Sequence, residues 1–234
     1  MAQTINGNNC FDAWQSAAQL IANHGAQNNL ILTIQQPGDF VNLQNWLSDR
    51  NPKSIIRGAD NLLSVIRTIF PYTLANYFPN RNDLYNKYRT IYQRGLNRSW
   101  GTYFQRLISF DNHFQNNGIN QLEGAINALN GGSPQRAYIV FHLSARNLES
   151  NTRPMGAPCW HFGQITINDD RSLNLIAVYR LHDYFNKGLG NFIGLAKLLE
   201  FICRETNRPM GELVIHSIQA YSATSPKNLR SLAQ

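Results

Sequence analysis

The segment NFIGLAKLLEFICRET, residues 191–206, constrains the fold of this chain more than any other stretch. Its residues are apolar on almost every side of a helix, and a narrow stripe of Lys197, Glu200 and Arg204 is the exception. A helix with so little polar surface is stable only when other elements cover most of its circumference. We therefore expect a fold that is built around this helix.

A β-sheet is predicted to supply much of that cover. The runs RAYIVFHL, HFGQITI and LNLIAVYR are short, apolar and separated by turn residues, which is typical of strands. The residues NDDRS join the last two runs, so we expect an antiparallel hairpin there. Helical spacing in residues 10–24 and 82–94, in DNLLSVIRTIF and in GINQLEGAINALNGGSP predicts further helices, and NLILTIQQ predicts a strand. These elements predict one α+β domain over residues 1–234, with helices packed on a mostly antiparallel sheet.

Composition and charge narrow the class of protein. No apolar run approaches the roughly 18 to 20 residues that span a bilayer, so we expect no membrane span. The three cysteines are widely spaced and the start has no signal-like pattern, which favours a reducing, cytoplasmic environment. The formal net charge of +7 favours an anionic partner: a nucleotide, a phosphorylated small molecule or nucleic acid.

The stretch GAPCWHF places Cys159 after an Ala-Pro pair and two residues before His161. A cysteine is commonly a small apolar residue, and it becomes a nucleophile only where its surroundings favour the thiolate. Residues two apart on a strand share a face, so the Cys/His dyad of a hydrolase is an alternative. The stretch alone leaves the role of Cys159 open.

Two other kinds of site fit the sequence poorly. Gly188, Gly190 and Gly194 resemble a dinucleotide-binding loop, but the last interval is one residue too long and no βαβ unit surrounds them. Cys159 and the scattered histidines lack the spacing of zinc ligands, so we expect no metal site.

The order of polar residues after Cys159 is more informative. Arg180 ends a predicted strand, Asp183 comes three residues later, and Asn191 comes eleven residues after the arginine, at the start of the long helix. With the Ala-Pro-Cys turn, this order in RLHDYFNKGLGN resembles that of the thymidylate synthases and the related pyrimidine-nucleotide hydroxymethylases. WGTYFQRL and SPQRAYIVF carry weaker similarity upstream, so the resemblance covers about residues 100–221.

The resemblance implies a homodimer that uses one face of its sheet as the interface and binds a pyrimidine nucleoside monophosphate. It implies a transferase of nucleotide biosynthesis that adds a methyl or hydroxymethyl group to C5, with 5,10-methylenetetrahydrofolate as the donor. Cys159 would be the nucleophile, because a pyrimidine C5 becomes reactive only after a thiolate adds to C6. Arg180 would lower the thiol pKa and bind the phosphate, and Asn191 would recognise the O4 and N3–H edge of uracil.

Further ligand contacts are assigned by the same resemblance. Arg136 matches an arginine that reaches the phosphate from the partner subunit. Gln219 and Tyr221 stand where the family binds the sugar hydroxyl, and Asp183 and Trp100 are expected to bind the folate.

Several departures from the family pattern favour an alternative, a catalytically reduced nucleotide-binding protein that acts as a sensor or scaffold. The helix DNLLSVIRTIF has no glutamate to relay protons, Trp160 replaces a histidine, Tyr179 replaces a glutamine, and 13 residues follow Tyr221. A third and least favoured alternative is a nucleic-acid-binding module that uses the basic, aromatic stretch of residues 81–104.

Overall fold

The computed structural model of the protein describes residues 2–41, 59–92, 101–111, 118–132, 139–144 and 157–234. The helices are α1 (Cys10–His24), α2 (Ala59–Ile69), α3 (Tyr72–Tyr77), α4 (Arg81–Tyr92), α5 (Tyr103–Ile108), α6 (Gln121–Asn130), α7 (Leu189–Thr206) and α8 (Pro226–Ala233). The strands are β1 (Gln3–Gly7), β2 (Gln27–Ile34), β3 (Val140–His142), β4 (Trp160–Ile167), β5 (Leu173–Tyr179), β6 (His182–Asp183) and β7 (Met210–Tyr221). A π-helical turn (Tyr184–Gly188) joins β6 to α7. The predicted α+β class is confirmed.

The strands form a mixed sheet in the order β1-β2-β7-β5-β4-β3, and β6 pairs with the end of β7. The predicted hairpin is confirmed, because β4 and β5 are antiparallel. The prediction of a mostly antiparallel sheet is wrong, since β1–β2, β5–β7 and β6–β7 are parallel pairs. Helices α1 and α7 connect these strands as crossovers, and a crossover returns the chain in the same direction.

The two faces of the sheet differ in what covers them. On one face Leu32, Ala177 and Ile215 are completely buried, and α1 and α7 pack against the strands. The opposite face is only half-buried, and its central strands carry two apolar pairs, Phe162–Val178 and Ile176–Val214, among polar residues such as His216. The sheet therefore keeps one partly uncovered face.

Helix α7 lies in the core, as its composition predicts. Most of its 18 residues are buried. It packs closely on α2, because a Cβ added at Gly190 would lie 2.7 Å from Val65 Cβ and one at Gly194 would lie 3.0 Å from Ile69 Cβ. These two glycines permit close contact between helices, which accounts for the pattern that resembled a dinucleotide-binding loop.

Helix α4 confirms the helix predicted within residues 82–94 and presents an apolar stripe to the core along most of its length. Leu84, Tyr85 and Tyr88 are buried, whereas Ile91 in the last turn is 44% exposed. None of the helices among the described residues is apolar over a length that could cross a membrane.

Candidate active site

The turn before β4 brings Cys159 next to the end of β5. The backbone N–H of Arg180 donates to the Cys159 carbonyl oxygen at 2.9 Å. The Arg180 guanidinium turns back onto the same loop, where Nε donates to the Pro158 carbonyl oxygen at 3.2 Å and Nη2 to the Ala157 carbonyl oxygen at 3.4 Å. Arg180 therefore ties the cysteine-bearing turn to β5.

Tyr103, which was not among the predicted site residues, also holds this turn. Its hydroxyl oxygen accepts hydrogen bonds from the backbone N–H groups of Cys159 at 3.1 Å and Trp160 at 3.2 Å. Tyr103 is the first residue of α5, where Thr102 and Gln105 form a capping box. The T-x-x-Q pattern of that box was a signal in the sequence for the position of Tyr103, though not for its contact with the cysteine turn.

A cavity of about 260 Å³ lies beside the cysteine turn. Four predicted site residues from separate parts of the chain line it: Cys159, Asp183, Asn191 and Tyr221. Lys187 adds a positive charge to the wall. Helix α2 contributes Val65 and Thr68 to the wall, and none of its described side chains there is a carboxylate.

The Cys159 thiol is half-buried, and burial raises its pKa above the ordinary value for a cysteine. The charge and hydrogen bond of Arg180 act in the opposite direction, and the charge of Asp183 adds to the rise. The expectation that Arg180 brings this pKa below that of a free cysteine is therefore wrong, because desolvation outweighs the single guanidinium. Cys159 is nevertheless more exposed than Cys10 and Cys203, which are buried.

A buried hydrogen-bond network stands behind Asn191. Asn191 Nδ2 lies 3.0 Å from His182 Nε2, and His182 Nδ1 lies 3.0 Å from Ser217 Oγ. Ser217 Oγ lies 3.0 Å from the Tyr184 hydroxyl oxygen. His182 was not among the predicted site residues, although it stands between the arginine and the aspartate of the motif.

The His182 ring is held between other rings. It stacks on Tyr179 with centroids 4.1 Å apart and planes 10° apart, and it meets Phe192 edge-on at 5.7 Å. Burial lowers the pKa of His182 to about 3, so the ring is neutral at physiological pH. A neutral imidazole has one donor and one acceptor nitrogen. The ring therefore accepts a hydrogen bond on one side and donates one on the other.

The Asp183 carboxylate lines the cavity and also has local partners. Oδ1 accepts from the backbone N–H groups of Phe185 and Ala223, both at 3.1 Å, and Oδ2 accepts from the Asn186 side chain at 2.6 Å. Asp183 thus caps the π-helical turn and ties it to the segment after β7. Because a carboxylate has about four acceptor positions, one is left for a ligand.

Arg180 contacts the cysteine turn but is not among the residues that line the cavity. Gln219 is exposed on β7 opposite Asn28 and does not line the cavity. Arg136 and Trp100 lie outside the described residues. In the part of the chain that the structure describes, no group of three or more His, Cys, Asp and Glu side chains could hold a metal ion.

The basic helix α4 uses its arginines in internal contacts. Arg81 forms ion pairs with Glu123 at 2.8 Å and with Glu205 at 3.0 Å. Arg89 Nη2 donates to the Ile108 carbonyl oxygen at 2.9 Å. These contacts fit a structural helix better than a nucleic-acid surface, which needs cations and rings that are open to the ligand.

Two archaeal proteins are similar to this chain over most of its length. A protein of Methanothermobacter thermautotrophicus is 26% identical over an alignment of 239 residues that covers 94% of this chain and 93% of that protein. A protein of Methanococcoides burtonii is 24% identical over 224 residues, which cover 94% of this chain and 89% of that protein. Both are named "Putative thymidylate synthase". No family model matches the chain. The similarity supports a thymidylate synthase-like family.

Proposed function

We propose that the protein is a thymidylate synthase-like one-carbon transferase that acts on C5 of a pyrimidine nucleoside monophosphate, with uracil as the preferred base. The observation that carries this proposal is that Cys159, Asn191 and Tyr221 line the same cavity. The cavity of about 260 Å³ lies just below the usual range for small-ligand sites, which begins at roughly 300 Å³, so a small ligand fits it better than a large one. The similarity to two proteins that carry the name "Putative thymidylate synthase" supports the same activity.

Cys159 is the proposed nucleophile. Its thiolate forms a bond from Sγ to C6 of the base, and the electron pair of the C5–C6 double bond moves towards C5 and O4. Asn191 donates an amide N–H to O4 and accepts the N3–H through Oδ1, so it stabilises the negative charge that develops on O4. Arg180 partly offsets the burial that disfavours the thiolate, and it is the proposed phosphate ligand.

A methylenetetrahydrofolate would supply the one-carbon electrophile. Asp183 and Trp100 are the residues that we propose to hold it. Asp183 fits this role because one acceptor position of its carboxylate is left for a pterin N–H.

We also propose a homodimer in which a second copy covers the half-buried sheet face. The apolar positions paired across its central strands support this, as does the resemblance, which brings Arg136 of each chain to the phosphate of the other.

Arg180→Ala and Arg136→Ala homodimers should then bind nucleotide weakly. Isolated heterodimers of the two variants should recover close to half of the native sites, and binding no better than that of the parents would contradict the shared site.

A catalytically reduced nucleotide-binding protein is the second candidate. Two observations favour it: burial raises the pKa of the Cys159 thiol, and the described side chains of α2 bring no carboxylate to the cavity. Such a protein would bind the nucleotide and leave it unchanged.

The deciding experiment incubates the protein with dUMP and 5,10-methylenetetrahydrofolate and follows the nucleotide by mass spectrometry. We expect a C5-alkylated product with the native protein and with Cys10→Ser, and none with Cys159→Ser. Calorimetry should show that all three proteins bind dUMP. Binding without product in the native protein would favour the second candidate, and no binding of either dUMP or dCMP would contradict both.

A further inference from the structure

We propose that a second cavity, between α7 and α3, binds a zwitterionic small molecule: an α-amino acid with an aromatic side chain. This cavity measures about 400 Å³, which lies within the usual range for small-ligand sites. No described residue lines both this cavity and the candidate active site. The inference therefore goes beyond the proposed function and does not depend on it.

The polar stripe of α7 forms one wall of the second cavity. Lys197, Glu200 and Arg204 are spaced by three and four residues, so they share one face of the helix. The side chains of Glu200 and Arg204 are 54% and 53% exposed, whereas most of α7 is buried. The charged groups of this otherwise apolar helix are thus collected at one cavity that is open to solvent.

Glu200 and Arg204 line the cavity with opposite charges that do not pair with each other. Such residues four apart on a helix commonly form an ion pair. Here Glu200 Oε2 accepts from Lys197 Nζ at 2.8 Å, and Arg204 Nε and Nη2 both donate to Glu205 Oε1 at 3.2 Å. Glu200 Oε1 and Arg204 Nη1 have no partner among the described residues. An anionic acceptor and a cationic donor therefore remain for a ligand.

The balance of charge favours a zwitterion over an anion. Each cation of the described cavity wall has a carboxylate within 3.2 Å: Glu200 for Lys197 and Glu205 for Arg204. A ligand with only negative charge would be attracted by Arg204 and repelled by Glu200. An α-amino acid carries an ammonium group and a carboxylate on one carbon. Its ammonium can donate to Glu200 Oε1 while its carboxylate accepts from Arg204 Nη1.

Aromatic rings form the apolar part of the cavity wall. Phe70 and Phe201 pack with centroids 4.8 Å apart and planes 40° apart, and Tyr72 adds a half-buried ring. A ring on the ligand would bury apolar surface here and could pack against these rings edge-on or offset. The wall therefore favours an aromatic amino acid over a small or polar one.

Calorimetry of the full chain with L-phenylalanine tests the ligand class. We expect a dissociation constant of roughly 1 mM or lower. N-acetyl-L-phenylalanine lacks the ammonium group and L-phenylalaninamide lacks the carboxylate, so each should bind at least roughly tenfold more weakly. L-alanine keeps both charges without a ring and should also bind more weakly. No binding of L-phenylalanine at roughly 10 mM, or equal binding of any of the other three compounds, would overturn the inference.

Substitutions in the stripe test where the ligand binds. Glu200→Gln should bind L-phenylalanine and its N-acetyl derivative with similar affinity, because the charge that selects the ammonium group is gone. Arg204→Gln should likewise bind L-phenylalanine and its amide with similar affinity. Both side chains are exposed and their ion pairs contribute little to stability, so we expect both variants to fold.

Arg208→Gln is the matched control. Its guanidinium stands just past the end of α7, donates to the Leu129 carbonyl oxygen at 3.1 Å and does not line the second cavity. This variant should keep the native affinities for all four compounds. If the folded Glu200 and Arg204 variants also keep them, the ligand binds elsewhere and the inference is overturned.

Discussion

The two sides of the candidate cavity are built in different ways. One side, called the sheet side here, consists of the strand ends and the start of α7: Asn191, His182 and Ser217 form a buried network there, and Arg180 holds the cysteine turn. On the α2 side, the Thr68 hydroxyl donates to the Val65 carbonyl oxygen of its own helix at 2.6 Å. The sheet side thus holds polar groups in positions to meet a ligand, whereas the α2 side supplies shape.

This difference bears on the choice between the two proposed functions. Base recognition and thiol addition need only the sheet side, where Cys159 and Asn191 lie. Proton relay from α2 would need an acid or base that its described side chains do not bring to the cavity. The four experiments below test whether the two sides behave as differently as their contacts indicate.

The largest expected effect is an acid sensitivity that comes from His182 on the sheet side. Burial lowers its pKa from 6.5 to about 3, so between these pH values the unfolded chain binds a proton that the folded chain does not. Above pH 6.5 the ring is neutral in both states, so His182 does not lower the free energy of unfolding there. As the pH decreases from 6.5 towards 3, the free energy of unfolding should fall by up to about 1.4 kcal/mol per pH unit. Chemical unfolding from pH 7 to 4 measures the slope. A slope in His182→Phe as steep as in the native protein would contradict the burial of a neutral ring.

The α2 side should be most sensitive to a change in shape. In Gly190→Ala the new Cβ would lie 2.7 Å from Val65 Cβ, so α2 has to move, and we expect a loss of about 1–3 kcal/mol in the free energy of unfolding. Gly124→Ala on α6 is the matched control, since a Cβ there meets no atom within 4 Å. The control should be neutral or slightly stabilising because alanine favours helix. Equal stability of the two variants would mean that α2 does not press on α7.

A smaller effect is expected at the thiol. Arg180 lowers the pKa of Cys159 against the effect of burial, so Arg180→Ala should raise that pKa further and reduce the thiolate fraction. Alkylation of Cys159 by iodoacetamide at pH 8 should slow by up to roughly tenfold. Arg208→Ala removes another guanidinium that donates to a backbone carbonyl, that of Leu129, and should leave the rate unchanged. If both variants react at the native rate, Arg180 has no electrostatic effect on the thiol.

The smallest effect on the free energy of unfolding is expected when the Thr68 hydroxyl is removed. Removal of the Ser217 hydroxyl on the sheet side gives the comparison. Thr68→Val removes a bond within one helix turn and should change the free energy of unfolding by no more than about 0.5 kcal/mol. Ser217→Ala removes a hydroxyl between His182 and Tyr184 and should cost about 1–3 kcal/mol, because both partners stay buried. Thermal unfolding of both variants measures the difference, and equal losses would remove the distinction between the two sides.

The elements that the sequence predicted correctly depend on local patterns. The long helix had to be buried because it has little polar surface, and most of α7 is buried. The β4–β5 hairpin followed from two apolar runs with a short polar connection. The direction of the other strands did not follow, because it depends on where α1 and α7 return the chain.

For the site, the sequence by itself determined which residue types occur and in what order. The motif from Cys159 to Asn191 predicted a group that includes three residues of the cavity wall, Cys159, Asp183 and Asn191. Only the tertiary structure decided that burial outweighs Arg180 at the thiol, that Tyr103 holds the cysteine turn and that His182 holds Asn191. The reason is physical: desolvation and hydrogen-bond partners depend on neighbours that are brought together from distant parts of the chain, and no local spacing encodes them.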